Sequence, residues 1–576
     1  MKDLRIRYLL LVFLAFISSG LLLTIIQPPF NAAFLAWCAY VPFILACSPK
    51  VKVKNLILVS YVVSLAYWLG NLYWIFPVTF AGWLAFCAYT AVLWPGLGCC
   101  LRYCRIKKVP LFLAVPVLIV AIERLQGCFL GGFYWRHLSH SQYADISIIQ
   151  IADIFGASGV SLLVAMVNGL LAELVISIRI KRFSENRCLL KMAIVAAAVT
   201  ATILYGRWRI DQSNKFIEAG PAVAALQSNI PQSVKETFEA SEQIFDELLV
   251  SSSAAAEAGA ELIVWPETMA QAILDRDVWP YLVASELEIK FDAALREHSK
   301  DTGYVLVGAY SARLQKQGHS EIGLARYNSA FLYLPDGHQD IRRYDKIHLV
   351  PFGEFVPFRK TFPWIYNLLM KFTPYDYDYS LEAGQNYTVF EMASAAGGKL
   401  QNYKFGVMIC YEDTVPEIAR AFALNQQGRK QVDWLVNISN DGWFVRFADN
   451  KVYASTELQQ HATVCVFRAV ENRLAVLRSV NTGISCMIDS LGRIRDGFLA
   501  GDMPHNAMDR KSCAGWFVDN VPCDTRVTFF SRYGQWLDAC CLLGLAALMA
   551  KPVVERLISR RRKNISKDNA NESSLN

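Results

Sequence analysis

Hydropathy divides this chain into two kinds of material. Apolar stretches occupy about 8–26, 30–47, 55–76, 78–101, 109–130, 159–178 and 189–206; a long polar segment follows, then one more apolar stretch at 533–550. A helix needs roughly 20 apolar residues to cross a bilayer, so this pattern commits the chain to about eight membrane spans carrying one large extramembrane domain. The composition agrees: 54% hydrophobic and 19% charged is too apolar for a purely soluble enzyme. Ser18-Ser19-Gly20 offers the small residues of a cleavage site, but the apolar run continues through Leu21 to Ile26, so an uncleaved span is expected.

Basic residues orient the spans. Lys2, Arg5 and Arg7 precede the first stretch, and Lys50, Lys52 and Lys54 follow the second. Arg102, Arg105, Lys107 and Lys108 follow the fourth, Arg179, Lys181, Arg182 and Arg187 the sixth, and Arg560 to Lys563 the last. The alternate connections Gln27–Pro29 and Pro77 carry no Lys or Arg. Every second loop is therefore expected in the cytoplasm, with the polar segment outside. The expected division is 1–207 membrane helices, 208–532 extracytoplasmic catalytic domain, 533–550 a last membrane helix and 551–576 a basic cytoplasmic tail. The net charge of +7 belongs to these short clusters beside apolar stretches and gives no ground for nucleic-acid binding.

Most of the fifteen cysteines fall in apolar stretches, as Cys38, Cys87, Cys99, Cys100 and Cys540 do, where they are expected as small buried hydrophobes. Cys513 and Cys523 are close enough in sequence for a disulfide, which spacing alone does not establish. There is no C-x-x-C, H-E-x-x-H, Walker or G-x-G-x-x-G pattern, so no metal and no cofactor is expected.

The polar segment reads as α/β with a mixed sheet. Strand-like runs lie at 222–227, 261–265, 304–310, 328–334, 404–410, 433–439 and 474–480, and helical patterns at about 237–258, 284–300 and 450–470. Three reactive side chains sit at the ends of such runs. Glu267 follows Val264-Trp265-Pro266, Lys346 lies in Tyr344-Asp345-Lys346-Ile347-His348, and Cys410 ends Lys404–Ile409 just before Tyr411-Glu412-Asp413. Alone, each has a duller explanation as a capping, surface or core residue. Together they supply a general base, a cation for a developing oxyanion and a nucleophile.

That Glu–Lys–Cys order, with Trp265-Pro266-Glu267, resembles the nitrilase superfamily of carbon–nitrogen hydrolases. Four further motifs, Ile230-Pro231-Gln232, Tyr344–Glu354, Cys410-Tyr411-Glu412 and Asn437–Phe444, are similar to those of the apolipoprotein N-acyltransferase family of the bacterial inner membrane. The resemblance implies a nitrilase-like four-layer αββα sandwich on a polytopic helical domain. It implies acyl transfer from a phospholipid, through a Cys410 thioester, to the amine of a diacylated lipoprotein, by a membrane-embedded monomer whose catalytic domain faces the periplasm. Glu267, Lys346 and Cys410 would be catalytic. Glu354 would orient Lys346 or assist the second proton transfer, and Tyr411 and Glu412 would shape the nucleophile's side of the pocket. The chain departs from the family where Glu236 replaces an aromatic and Tyr134 a proline.

The apolar, Trp- and Tyr-bearing stretch from Phe362 to Phe372 is expected as an arm at the membrane interface, through Trp364 and Leu368. Arg136 could meet a lipid phosphate, and Glu123-Arg124 suggests an intramembrane ion pair. The same three reactive residues would also serve a membrane-bound amidase or nitrilase of small carbon–nitrogen substrates. A degenerate, non-catalytic lipid-binding domain is disfavoured because all three positions are occupied.

Overall fold

The computed structural model describes residues 2–128, 131–179, 185–235, 238–317, 321–359, 361–371, 379–398, 400–449, 451–551 and 555. Among these, six helical segments are long and apolar enough to cross a membrane: Ile6–Ile25, Val53–Asn71, Phe80–Ile106, Leu111–Cys128, Ala157–Arg179 and Asn186–Lys215. The third bends between its two parts, Phe80–Thr90 and Leu93–Ile106. The apolar stretch at 533–550 is helical from 536 to 551. The Arg560 to Lys563 cluster lies outside the described residues.

The stretch 30–47, expected as a full span, folds as a short turn of 3-10 helix, Ala33–Trp37, and a six-residue helix, Val41–Ala46. The break is tolerated because buried Asn168 repairs it. Its amide oxygen accepts from Tyr40 N at 2.8 Å and its amide nitrogen donates to Ala36 O at 2.9 Å. Broken backbone at membrane depth persists only when such groups are satisfied from within the protein.

The neighbouring charges are also committed to the fold. Arg136 donates to the Leu23 and Thr24 carbonyls at 2.9 and 3.3 Å, closing the C-terminal end of the first helix. Glu123 accepts from Leu138 N at 2.6 Å. Arg124 pairs with Glu417 of the extramembrane domain at 2.8 Å, so the adjacent Glu123 and Arg124 do not pair with each other.

Among the described residues, the extramembrane domain has fifteen strands. They are β1 Ile217–Gln227, β2 Leu262–Val264, β3 Ala270–Ile273, β4 Tyr304–Gln317, β5 Glu321–Tyr333, β6 Gln339–Asp345, β7 Val389–Ser394 and β8 Gln401–Ile409. There follow β9 Trp434–Ser439, β10 Arg446–Ala448, β11 Lys451–Tyr453, β12 Ala475–Val480, β13 Cys486–Ile488, β14 Ala500–Gly501 and β15 Gly515–Asp524. One sheet runs β14-β15-β1-β2-β4-β5-β6, with β3 beside β4; a second runs β13-β12-β9-β8-β7. Both are mixed. In the first, β1, β2 and β4 pair in parallel while β4, β5 and β6 alternate. In the second, β8, β9 and β12 pair in parallel while β7 and β13 run antiparallel at its edges.

Period-two alternation makes the layers. Val223 and Ala225 of β1 turn towards Val407 and Val436 of the second sheet. Ala224 and Leu226 turn the other way, onto Phe245 and Leu248 of helix Phe238–Glu257 and Phe291 of helix Glu286–Thr302. Helices Pro416–Ala423 and Thr456–Asn472 cover the far face of the second sheet. The result is an αββα sandwich. The expected helix at 450–470 begins later, at Thr456, because Lys451–Tyr453 pairs with Arg446–Ala448 as a hairpin. All fifteen cysteines, Cys513 and Cys523 included, are free thiols.

Candidate active site

The parallel strands β2 and β8 each end in a turn bearing a reactive side chain. After β2, Glu267 leads into Thr268, whose φ is +50°. Buried Lys235 braces that turn, donating to Thr268 Oγ1 at 2.6 Å and to the Glu267 carbonyl at 3.3 Å. After β8, Cys410 has a φ of +56° and opens the 3-10 turn Cys410–Thr414. A non-glycine residue in the left-handed region costs about 1–3 kcal/mol and persists only where its surroundings enforce it. Here Asn437 of β9 enforces it, its amide donating to the Cys410 carbonyl at 3.0 Å.

Between these turns stands Lys346, just past β6 and 1% exposed. Its ammonium donates to Glu354 Oε1 at 2.8 Å and to Glu267 Oε1 at 3.3 Å. Burial disfavours the ammonium, but Glu354, Glu267 and Cys410 outweigh it and hold Lys346 well above an ordinary lysine. Glu267 is held on both oxygens: Asn328 Nδ2 donates to its Oε1 at 2.7 Å, and the Asn440 backbone N–H to its Oε2 at 2.8 Å. The same Asn328 amide reaches Glu354 Oε1 at 3.0 Å, while Val350 N holds the other Glu354 oxygen at 2.8 Å. Two carboxylates and one ammonium thus form a rigid array with Asn328 as its crosspiece.

Cys410 is half-buried at the edge of this array. Dense protein around the sulfur and the charge of Glu267 push its thiol upward, while Lys346 and His461 pull it down. A thiol raised in this way needs a base to ionise, and Glu267 is the carboxylate whose charge reaches it.

The remaining expected residues divide. Glu412 lies behind the site, fully buried. Its Oε1 accepts from Ile347 N at 2.7 Å and His348 N at 2.9 Å; its Oε2 accepts from Ile409 N and Tyr344 Oη, both at 2.8 Å. One carboxyl therefore ties the loop after Lys346 to the strand before Cys410. Tyr411 faces the membrane domain, accepting from Tyr134 N at 2.9 Å and donating to Gly132 O at 3.3 Å. Trp364 and Leu368 lie on helix Pro363–Met370, which buries no residue; Trp364 is 69% exposed. They form no part of the array. Phe372 and Glu236 lie outside the described residues.

Sequence reasoning missed Asn328, Asn437, Asn440 and Lys235 as parts of the site. Asn437 and Asn440 stand inside the Asn437–Phe444 motif. Asn328, inside a long antiparallel strand, carries no local signal.

A strained cysteine, a buried ammonium and two carboxylates between the sheets of an αββα sandwich define a carbon–nitrogen hydrolase fold, here joined to a helical membrane domain. A model of the carbon-nitrogen hydrolase family matches residues 222–497, and one of the apolipoprotein N-acyltransferase N-terminal domain matches 19–170. The chain is 30% identical over 558 residues to an apolipoprotein N-acyltransferase of Geobacter metallireducens, spanning 93% of this chain and 94% of that one. It is 25% identical over 574 residues to that of Thermotoga maritima, spanning 97% and 95%. The Bdellovibrio bacteriovorus protein of the same description is 24% identical over 563 residues, with 93% of each chain covered. The chain belongs to the apolipoprotein N-acyltransferase family.

Proposed function

We propose that this chain moves a fatty acyl group from a phospholipid, through a thioester on Cys410, to the N-terminal amine of S-diacylglyceryl-cysteine lipoproteins. The observation that carries the reading is Lys346, buried between Glu267 and Glu354 and in electrostatic contact with Cys410. Cys410 Sγ attacks the ester carbonyl carbon while Glu267 takes the thiol proton. The tetrahedral oxygen is met by Lys346 and by the Tyr411 backbone N–H; a donor of this kind typically supplies about 3–4 kcal/mol. Collapse breaks the C–O bond, and Glu267 returns the proton to the leaving lysophospholipid oxygen. The lipoprotein amine then attacks the thioester and gives a proton to Glu267. The C–S bond breaks, and the thiol is restored with that proton. A thioester keeps enough acyl reactivity to acylate an amine.

Glu354 holds Lys346 in place, and Glu412 and Tyr411 fix the nucleophile's turn from behind and from the membrane side. Helix Pro363–Met370, with exposed Trp364 and Leu368, is the arm that meets the lipid. The enzyme sits in the inner membrane with residues 208–532 on the periplasmic side, a reading supported by the alternation of basic loops. A monomer is the state that the family resemblance implies.

The test is intact-mass measurement of the purified protein incubated with phospholipid and no acceptor. An acyl adduct on the wild type, absent from Cys410→Ala, is expected. Ammonia released from a small amide with no adduct would replace this reading with a membrane-bound amidase.

A further inference from the structure

Behind Cys410 lies a second cluster of buried charge that the acyl-transfer steps do not use. Its centre is His461 on helix Thr456–Asn472, 2% exposed. His461 Nε2 lies 2.7 Å from Asp413 Oδ1, and Nδ1 lies 3.3 Å from both Asp441 Oδ1 and Glu457 Oε1. Arg478 of β12 pairs with the other oxygen of Asp413. The ring of Trp135, from the membrane domain, packs 5.7 Å from the imidazole. Cys465, one turn further along the helix, faces Asp413 and Arg478.

Both ring nitrogens face carboxylates. A neutral imidazole has one donor, whereas the imidazolium donates to both Asp413 and Asp441. The positions of the two carboxylates give this meaning. Asp413 sits in the turn that Cys410 opens. Asp441 follows Asn440, whose backbone N–H holds Glu267. One cation therefore joins the turn of the nucleophile to the turn that orients the base.

We infer that His461 is a positioning residue of the acyl-transfer site, a permanently charged imidazolium that clamps the Cys410 and Asn440 turns and favours the Cys410 thiolate. This rests on Cys410 being the nucleophile. Burial alone would strip the proton from His461, but Asp413 and Asp441 outweigh it and hold the group well above an ordinary histidine. Burial and the nearby Asp441 push Glu457 upward, towards its neutral form. With Glu457 protonated, His461 and Arg478 balance Asp413 and Asp441, and the cluster is neutral as a buried set must be. A divalent cation is the competing way to neutralise it. Asp441, Glu457 and His461 offer ligand atoms within 4.8 Å of one another, and Asp441 Oδ2 and Glu457 Oε2 have no hydrogen-bond partner among the described residues.

The test is the pH dependence of Cys410 alkylation by iodoacetamide in the full-length protein, which needs no acyl donor. A failed clamp is thereby distinguished from a failed acyl-transfer reading, which the thioester mass reports. The variants are His461→Gln, whose amide can keep the bond to Asp413, and His461→Asn, whose amide can keep the one to Asp441; neither carries charge. In whichever variant keeps the wild-type melting temperature, alkylation at pH 7.5 is expected to slow about tenfold, its pH profile moving about one unit upward. The acylation rate should fall with little change in KM for phospholipid. A profile coincident with the wild type in a folded variant overturns the inference. So does one equivalent of tightly bound metal in the wild type whose chelation slows alkylation to the same extent.

Discussion

Lys346 and Glu267 meet at 3.3 Å in the buried site although 79 residues separate them in sequence. Glu354 approaches the same ammonium to 2.8 Å from the other side. The cation is thereby both neutralised and aimed, and its removal has two separable consequences.

Lys346→Met leaves two carboxylates without their cation. Stripping one partner from a buried pair costs about 3–5 kcal/mol, so a clear loss of thermal stability is expected. Acylation of Cys410 should fall by about 10²–10³-fold with the oxyanion donor gone. Lys346→Arg should recover stability more than activity, because a planar fork does not reproduce a point charge between two carboxylates. Melting curves and adduct formation, measured side by side, check both statements.

Asn328 holds Glu267 and Glu354 with one amide nitrogen. Asn328→Ala removes a donor from each carboxylate, and a loss of about 1–3 kcal/mol is expected from unsatisfied buried acceptors. Asn328→Asp should be worse, because it sets a third carboxylate against the other two. Comparing the two variants in unfolding and single-turnover acylation separates lost bonding from added repulsion.

Glu412 gives a pH signature. Burial raises its carboxyl to about 7, against the pull of the Ile409 and His348 N–H groups and Lys346. The folded state thus prefers the protonated acid. The stability contributed is fully present below about 4.5, declines as the pH rises towards 7, and changes little above that. A rise of this size corresponds to about 3 kcal/mol across the window. Glu412→Gln cannot titrate, so the stability of the wild type relative to the variant should be highest near pH 4.5 and fall towards pH 7.5. A relative stability that rises with pH would reverse the assignment. Denaturant unfolding at a series of pH values reads it directly.

The exposed helix Pro363–Met370 predicts a substrate-dependent defect. Trp364→Ser and Leu368→Ser should lower activity on membrane phospholipid about tenfold or more, since each removes roughly 1.5–3 kcal/mol of apolar burial in the bilayer edge. Activity on a short, soluble acyl donor should change little. Equal losses on both donors would remove the arm from the proposal.

Much of this architecture is written locally. The two hydropathy regimes, the strands at 222–227, 404–410 and 474–480, and the reactive residues at their ends follow from periodicity and turn chemistry. Glu267, Lys346 and Cys410 were therefore legible as candidates, and Glu354 through the family resemblance of Tyr344–Glu354. The strand Gly515–Asp524 was not, because its partner is β1, about 300 residues away in sequence. Nor was the broken stretch at 30–47: its composition is that of a span, and only the contact with Asn168 shows how its interrupted backbone is satisfied.

The sequence by itself determined which side chains are available and which chain segments are apolar, because hydrophobic period and turn residues act over a few positions. The tertiary structure alone decided that Asn328 ties two carboxylates together, that Glu412 pins the Lys346 loop to the Cys410 strand, and that Arg124 bonds Glu417 rather than its neighbour. These are contacts between distant segments. They depend on sheet register and on the need of every buried polar group for a partner, and neither is encoded at any one position.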